Sequence, residues 1–237
     1  MRSIMESVFD AAYLAAAAVL GILILVRSRG RRDFRLFGIM TLILAGGDSF
    51  HLVPRILSLN SSAPEAYTAA LGWGTFVTSI TMTVFYVLLY HFWRLYYKNP
   101  QPRGRYVTAL VYVLAIVRIA LCLFPQNAWS GAQGSVETAW LWGIYRNIPF
   151  AMLGALIIAL FCNTARIAHD NFRWMWLAIT LSFACYIPVI LWVDFAPIVG
   201  MLMIPKTCMY VWMIVMGLKA AGSEPEKAGK TDGPVRA

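Results

Sequence analysis

Seven apolar stretches alternate with short polar ones along this chain, at residues 8–26, 36–57, 69–93, 106–124, 139–162, 174–193 and 198–218. Each is 19–25 residues long. A helix rises 1.5 Å per residue and needs about 20 residues to cross a hydrocarbon core of ~30 Å. The pattern predicts an all-α polytopic membrane protein with seven transmembrane helices. Residues 1–220 form the bundle. Residues 221–237, polar and rich in glycine, proline and charge, are expected as a disordered cytoplasmic tail.

The connections fix the expected orientation. Arg27, Arg29, Arg31, Arg32 and Arg35 follow the first run, Arg94 to Arg105 the third, and Arg166 to Arg173 the fifth. The intervening connections carry only Glu65, Glu137 and Asp194 as charges. Lys/Arg-rich loops stay in the cytoplasm, so the N-terminus is expected outside and the C-terminus inside, in a bacterial cytoplasmic membrane. The first run has the length of a signal-peptide core, but its positive cluster follows it, which predicts an uncleaved first helix.

Composition agrees. The chain is 60% hydrophobic and 13% charged, against about 45–50% and about 25% for soluble domains. A net charge of +9 would suit nucleic acid, but its placement in loops on one side is what a membrane protein requires. The four cysteines stand singly in apolar runs without a CxxC pair, so neither a disulfide framework nor a structural zinc site is expected.

The candidate chemistry lies inside the runs. Gly46 to Arg55 reads GGDSFHLVPR and sets Asp48, His51 and Arg55 at i, i+3 and i+7, one helical stripe. Counting along the helices puts Asp48 and Arg118 roughly 18 Å from the inner ends and Lys206 about 12–13 Å from the outer end. His51 and Arg146 fall slightly further out, and Arg55 near the outer interface. Each central Arg, Lys or Asp costs about 2.5–3.5 kcal/mol to insert, so such residues face a bundle interior and find partners. With Asp48 the one carboxylate at that depth, the layer keeps a positive surplus. Asn147, Tyr186, Tyr145, Ser49, Thr75 and Thr78 offer neutral hydrogen bonds. Pro54, Pro149, Pro188 and Pro205 each free a backbone carbonyl where a cavity can form. His91 and His169 read as interfacial and solvated, and the tryptophans near helix ends as interfacial belts.

Two families offer partial resemblances. A lysine midway along the last helix resembles the Schiff-base lysine of microbial rhodopsins, yet the third helix lacks a carboxylate counter-ion. Gly47-Asp48-Ser49-Phe50-His51 is similar to a Ser-plus-Phe-His signature of the alkaline ceramidase and adiponectin-receptor superfamily of zinc hydrolases. That family also places two histidines four apart in its last helix, where this chain has none. The chain is assigned to neither, and no metal or other cofactor is expected.

The expected function is binding of a small anion or anionic lipid headgroup in a positively biased intramembrane pocket, as transporter or sensor. The candidate ligand-binding residues are Asp48, His51, Arg55, Arg118, Arg146, Asn147, Tyr186 and Lys206. One alternative is a lipid-modifying enzyme using Asp48 and His51 as acid and base. Another is a structural subunit in which Asp48 pairs with Lys206 or Arg118 to fix packing. Membrane lipid and a small anionic ligand are the expected partners, nucleic acid is not, and the sequence names no partner protein.

Overall fold

The computed structural model describes residues 2–98, 104–130, 136–193 and 195–223. Among them there is no strand, and seven helices are long and apolar enough to cross a membrane. These are α1 (Arg2–Arg27), α2 (Arg32–Leu59), α3 (Thr68–Tyr97), α4 (Gly104–Leu123), α5 (Val136–Ala165), α6 (Met175–Trp192) and α7 (Met203–Gly222). Asp194, residues 99–103 of the KNPQPRGR turn and the tail from 224 onward lie outside the described residues.

Every expected apolar run is a helix, and most helices extend past their run. Backbone hydrogen bonding does not stop where hydropathy does, so α1 begins at Arg2 and includes Glu6. The seventh run departs from expectation. Its first part, Pro197–Leu202, is a 3-10 helix, and only Met203–Gly222 is α-helical. Pro205 therefore lies in the first turn of α7, where no intrahelical N–H is required, and frees no mid-helix carbonyl. Pro54, Pro149 and Pro188 are interior to α2, α5 and α6. Short 3-10 turns starting at Pro64 and Pro125 also follow α2 and α4.

Consecutive helices pack side by side from α1 to α7, and α1 against α7 closes the ring. In addition, α2 touches α7 and α3 touches α5. One end is basic: Arg31, Arg173 and Lys219 meet around a cavity of about 610 Å³. Just inside it lies an aromatic cluster of Phe34, Phe37, Phe92, Tyr96 and Phe172 with centroids 4.8–6.1 Å apart. The opposite end carries the Asn60–Ser7 and Arg55–Glu6 contacts between α2 and α1.

Glycine sets how closely α2 meets α3. A Cβ at Gly74 would run into the backbone of Phe50 and His51, and one at Gly47 into Thr81. Without side chains there, the two backbones touch, and Thr78 Oγ1 donates across to the Gly47 carbonyl at 3.1 Å. Small residues permit this approach, and it brings His51 within reach of α3.

Gly74→Ala is expected to cost about 1–3 kcal/mol through overpacking. Gly46→Ala, where a Cβ meets nothing within 4 Å, should instead be neutral or stabilise by up to about 1 kcal/mol through helix propensity. Thermal unfolding of the two purified variants checks both signs.

Candidate functional site

A cavity of about 100 Å³ lies inside the bundle. His51, Arg118, Tyr186 and Lys206 line it together with hydroxyl residues Thr75, Thr78 and Ser79 and the apolar Met82, Phe150 and Met203. Five helices contribute walls: α2, α3, α4, α5 and α6, and α7 supplies a sixth through Lys206 and Met203. Four of the eight expected site residues therefore converge.

Arg118 is the least exposed of them, at 1%. Its guanidinium lies face-on over Phe150, Cζ 3.4 Å from the ring centroid. Its Nε and Nη1 find no hydrogen-bond acceptor. Those two nitrogens carry three of the five guanidinium N–H donors. A cation–π contact returns about 2 kcal/mol when desolvated, whereas burying a charge costs several. The ring therefore offsets only part of the cost of placing this cation here.

Lys206 is 8% exposed and rests on two rings, Nζ 4.5 Å from the centroid of Tyr186 and 5.6 Å from that of Tyr210. Among the described residues, no carboxylate lies within 4 Å of it or of Arg118. The cavity thus holds two cations and no neutralising anion.

His51 is held by α3. Its Nδ1 lies 3.3 Å from the Leu71 carbonyl and 3.2 Å from Thr75 Oγ1. The Thr75 hydroxyl already donates to Leu71 O at 2.8 Å, so its hydrogen is committed. A carbonyl only accepts, so Nδ1 must be the protonated nitrogen. The Thr78 and Ser79 hydroxyls likewise donate to backbone carbonyls and present only lone pairs elsewhere.

The other four expected residues lie apart from the cavity. Asp48 turns to α1, where Tyr13 donates its hydroxyl to Oδ2 at 2.6 Å. It pairs within 4 Å with neither Lys206 nor Arg118, and no hydrogen bond joins it to His51. Positions i and i+3 differ by about 60° around a helix. With α1 on one side of α2 and α3 on the other, that angle sends the two side chains to different neighbours.

Arg55 is engaged with α1: Nη2 lies 3.2 Å from Glu6 Oε2 and Nε 3.7 Å from Asp10 Oδ2. Arg146 points to the α4–α5 connection. There Asn127 spends its amide on the carbonyls of Leu121 and Phe124 at the end of α4, leaving Oδ1 to accept from Arg146 Nη1 at 2.8 Å. The Arg146 guanidinium also stacks 4.3 Å above Trp129. Asn147 reaches the site indirectly, accepting the Tyr186 hydroxyl on Oδ1 at 3.0 Å while donating to Gly143 O.

Sequence reasoning missed Tyr13, Glu6, Asp10, Asn127 and Phe150. Phe150 is an ordinary apolar-run residue by type, and nothing in the linear order marks it as a partner. Glu6, Asp10 and Tyr13 do carry a legible signal, because they recur at i, i+4 and i+7 on one stripe of α1. Tyr145 and Ser49, offered as hydrogen-bonding residues of the layer, take no part: Tyr145 is exposed beside Trp142, and Ser49 donates to Gly46 O within its own helix. Among the described residues, no three His, Cys, Asp or Glu side chains gather as a metal ion would need.

No known protein family, curated protein or solved structure matches the chain.

Tyr13→Phe should destabilise the fold by about 1–3 kcal/mol, because it leaves a carboxylate short of its partner. Asp48→Asn should cost less in that background than in the native chain, and a double-mutant cycle by thermal unfolding measures the coupling.

Proposed function

We propose that the chain is an integral membrane protein that binds a small anion, free or as the head of a lipid, at the cavity between Arg118 and Lys206. The observation that carries this reading is the guanidinium of Arg118, fully enclosed, charged, and short of acceptors for Nε and Nη1. Lys206 adds a second cation without a carboxylate. An oxyanion between them would satisfy both, with charge-assisted hydrogen bonds about twice as strong as neutral ones. The volume suits it: about 100 Å³ is about three water volumes at ~30 Å³ each.

We place the N-terminus outside and the C-terminus in the cytoplasm. The basic end formed by Arg31, Arg173 and Lys219 supports that orientation, as do the seven apolar helices the insertion itself. Binding serves transport or sensing. A transporter admits its anion from both faces, so uptake into sealed vesicles separates the two. The lipid-modifying reading has less support, because Asp48 and His51 share no proton and face different helices.

Phosphate and acetate, titrated against the purified protein, are expected to raise its thermal stability by about 2.7 kcal/mol at a hundred times the dissociation constant. Lys206→Met should abolish that rise and Arg55→Gln should leave it intact. If neither anion stabilises the native chain, the reading fails. A reporter fused after Ala237 should be active in the cytoplasm, and one inserted after Ser61 outside it.

A further inference from the structure

We infer that the anion bound at this cavity is the head of a single-chain amphiphile, whose hydrocarbon part lies in a groove between α5 and α6. The inference rests on the reading just given and narrows its ligand class. The groove measures about 160 Å³ and is lined by Ile144, Ile148, Ala151, Ile187, Ile190 and Leu191. It faces outward from the ring, since Ile148 and Ile187 are 51% and 43% exposed. Phe150, Tyr186 and Asn147 complete its inner side.

Phe150 and Tyr186 line both the groove and the cavity. Each also carries one of the two cations, Arg118 on Phe150 and Lys206 on Tyr186. Charge and apolar space are thus separated by a wall one aromatic ring thick. The cavity is too small for a chain, and the groove has no charge for a head. Together they match a molecule with one of each.

The wall sits beside the interior prolines of α5 and α6. Pro149 precedes Phe150, and Pro188 lies two residues after Tyr186. Each proline removes one ladder hydrogen bond from its helix. The Tyr186 ring is held by its hydrogen bond to Asn147, by Lys206 on its face and by an edge-on contact with Phe150, none of them a covalent or carboxylate tie. Rotation of that ring opens the groove to the cavity; it takes one of the two rings from under Lys206, which keeps Tyr210, and leaves Arg118 on Phe150. At about 30 Å³ per water-sized group, the groove takes about five methylene-sized groups, which fits one short chain segment and not two.

The test is a chain-length series on the purified full chain by calorimetric titration, with acetate, butyrate, hexanoate and octanoate, and with inorganic phosphate against hexyl phosphate. Affinity should rise about fourfold per methylene up to hexanoate and then level off. Hexyl phosphate should exceed inorganic phosphate by a similar total, and the tighter of the two hexyl probes identifies the head as phosphate or carboxylate. Ala151→Trp, which fills the groove, should bind acetate as the native chain does but lose the rise. Ile187→Ala, which enlarges it, should shift the levelling-off to longer chains and serves if Ala151→Trp does not fold. Equal affinity for acetate and hexanoate, or an undiminished rise in Ala151→Trp, overturns the amphiphile while leaving anion binding standing. Absence of binding by every probe overturns the reading of the cavity itself, and this inference with it.

Discussion

A guanidinium enclosed in the bundle, laid on an aromatic face and left without acceptors for Nε and Nη1, is the constraint around which the centre is arranged. Arginine cannot shed its charge in a protein, so the cost of burying it must be met by neighbours. Phe150 meets part of it from one side at 3.4 Å. Nε and Nη1 are left without acceptors, and Arg118 shares the lining of the cavity with Lys206, His51 and three hydroxyl residues. The hydroxyls have already committed their hydrogens to backbone carbonyls, so the groups they can offer are acceptors. This is a lining suited to cations and to whatever neutralises them.

That arrangement depends on close packing elsewhere. Gly47 and Gly74 let α2 and α3 touch along their backbones, which is how His51 reaches Leu71 and Thr75 of the neighbouring helix. On the far side, Gly72 of α3 receives the Trp129 carbonyl, docking the α4–α5 connection and the Asn127 that orients Arg146. At the basic end, the Phe37 ring occupies the space that a side chain at Gly217 would need, locking α2 against α7. Small residues thus set the distances, and aromatic rings occupy the volume they leave.

Much of the fold was legible in the sequence because apolar length is a one-dimensional property. The seven runs became seven helices, and His51, Arg118 and Lys206, grouped by depth counting, line one cavity. Direction around each helix was not legible, since it depends on which neighbour packs where. Asp48 and His51 share a stripe, yet α1 and α3 flank α2 and draw them apart. Arg146 has suitable depth but looks to a loop whose role follows from the helix-end carbonyls that Asn127 satisfies. Cation–π partners such as Phe150 and Trp129 are invisible in a list of charges. Pro205 was misplaced because hydropathy does not separate a 3-10 segment from an α-helix.

The segregation of charge between helix pairs accounts for the positive surplus of the cavity. Glu6, Asp10 and Tyr13 lie on one stripe of α1 and meet Arg55 and Asp48, themselves seven residues apart on α2. This pairing is antiparallel and closed: two carboxylates take Arg55, and a phenol takes the third carboxylate. Arg55 is about a third exposed, so its ion pairs contribute at most about 1 kcal/mol. Their consequence is geometric, because they fix the register of α1 on α2 and engage Glu6 and Asp10. Arg118 and Lys206, on α4 and α7, lie on aromatic rings with no carboxylate within 4 Å of either among the described residues. Had Asp48 turned to Lys206 instead, the cavity would hold an internal salt and have little reason to take an anion. The Tyr13 hydroxyl, by holding Asp48 against α1, keeps its carboxylate out of a direct ion pair with either cation.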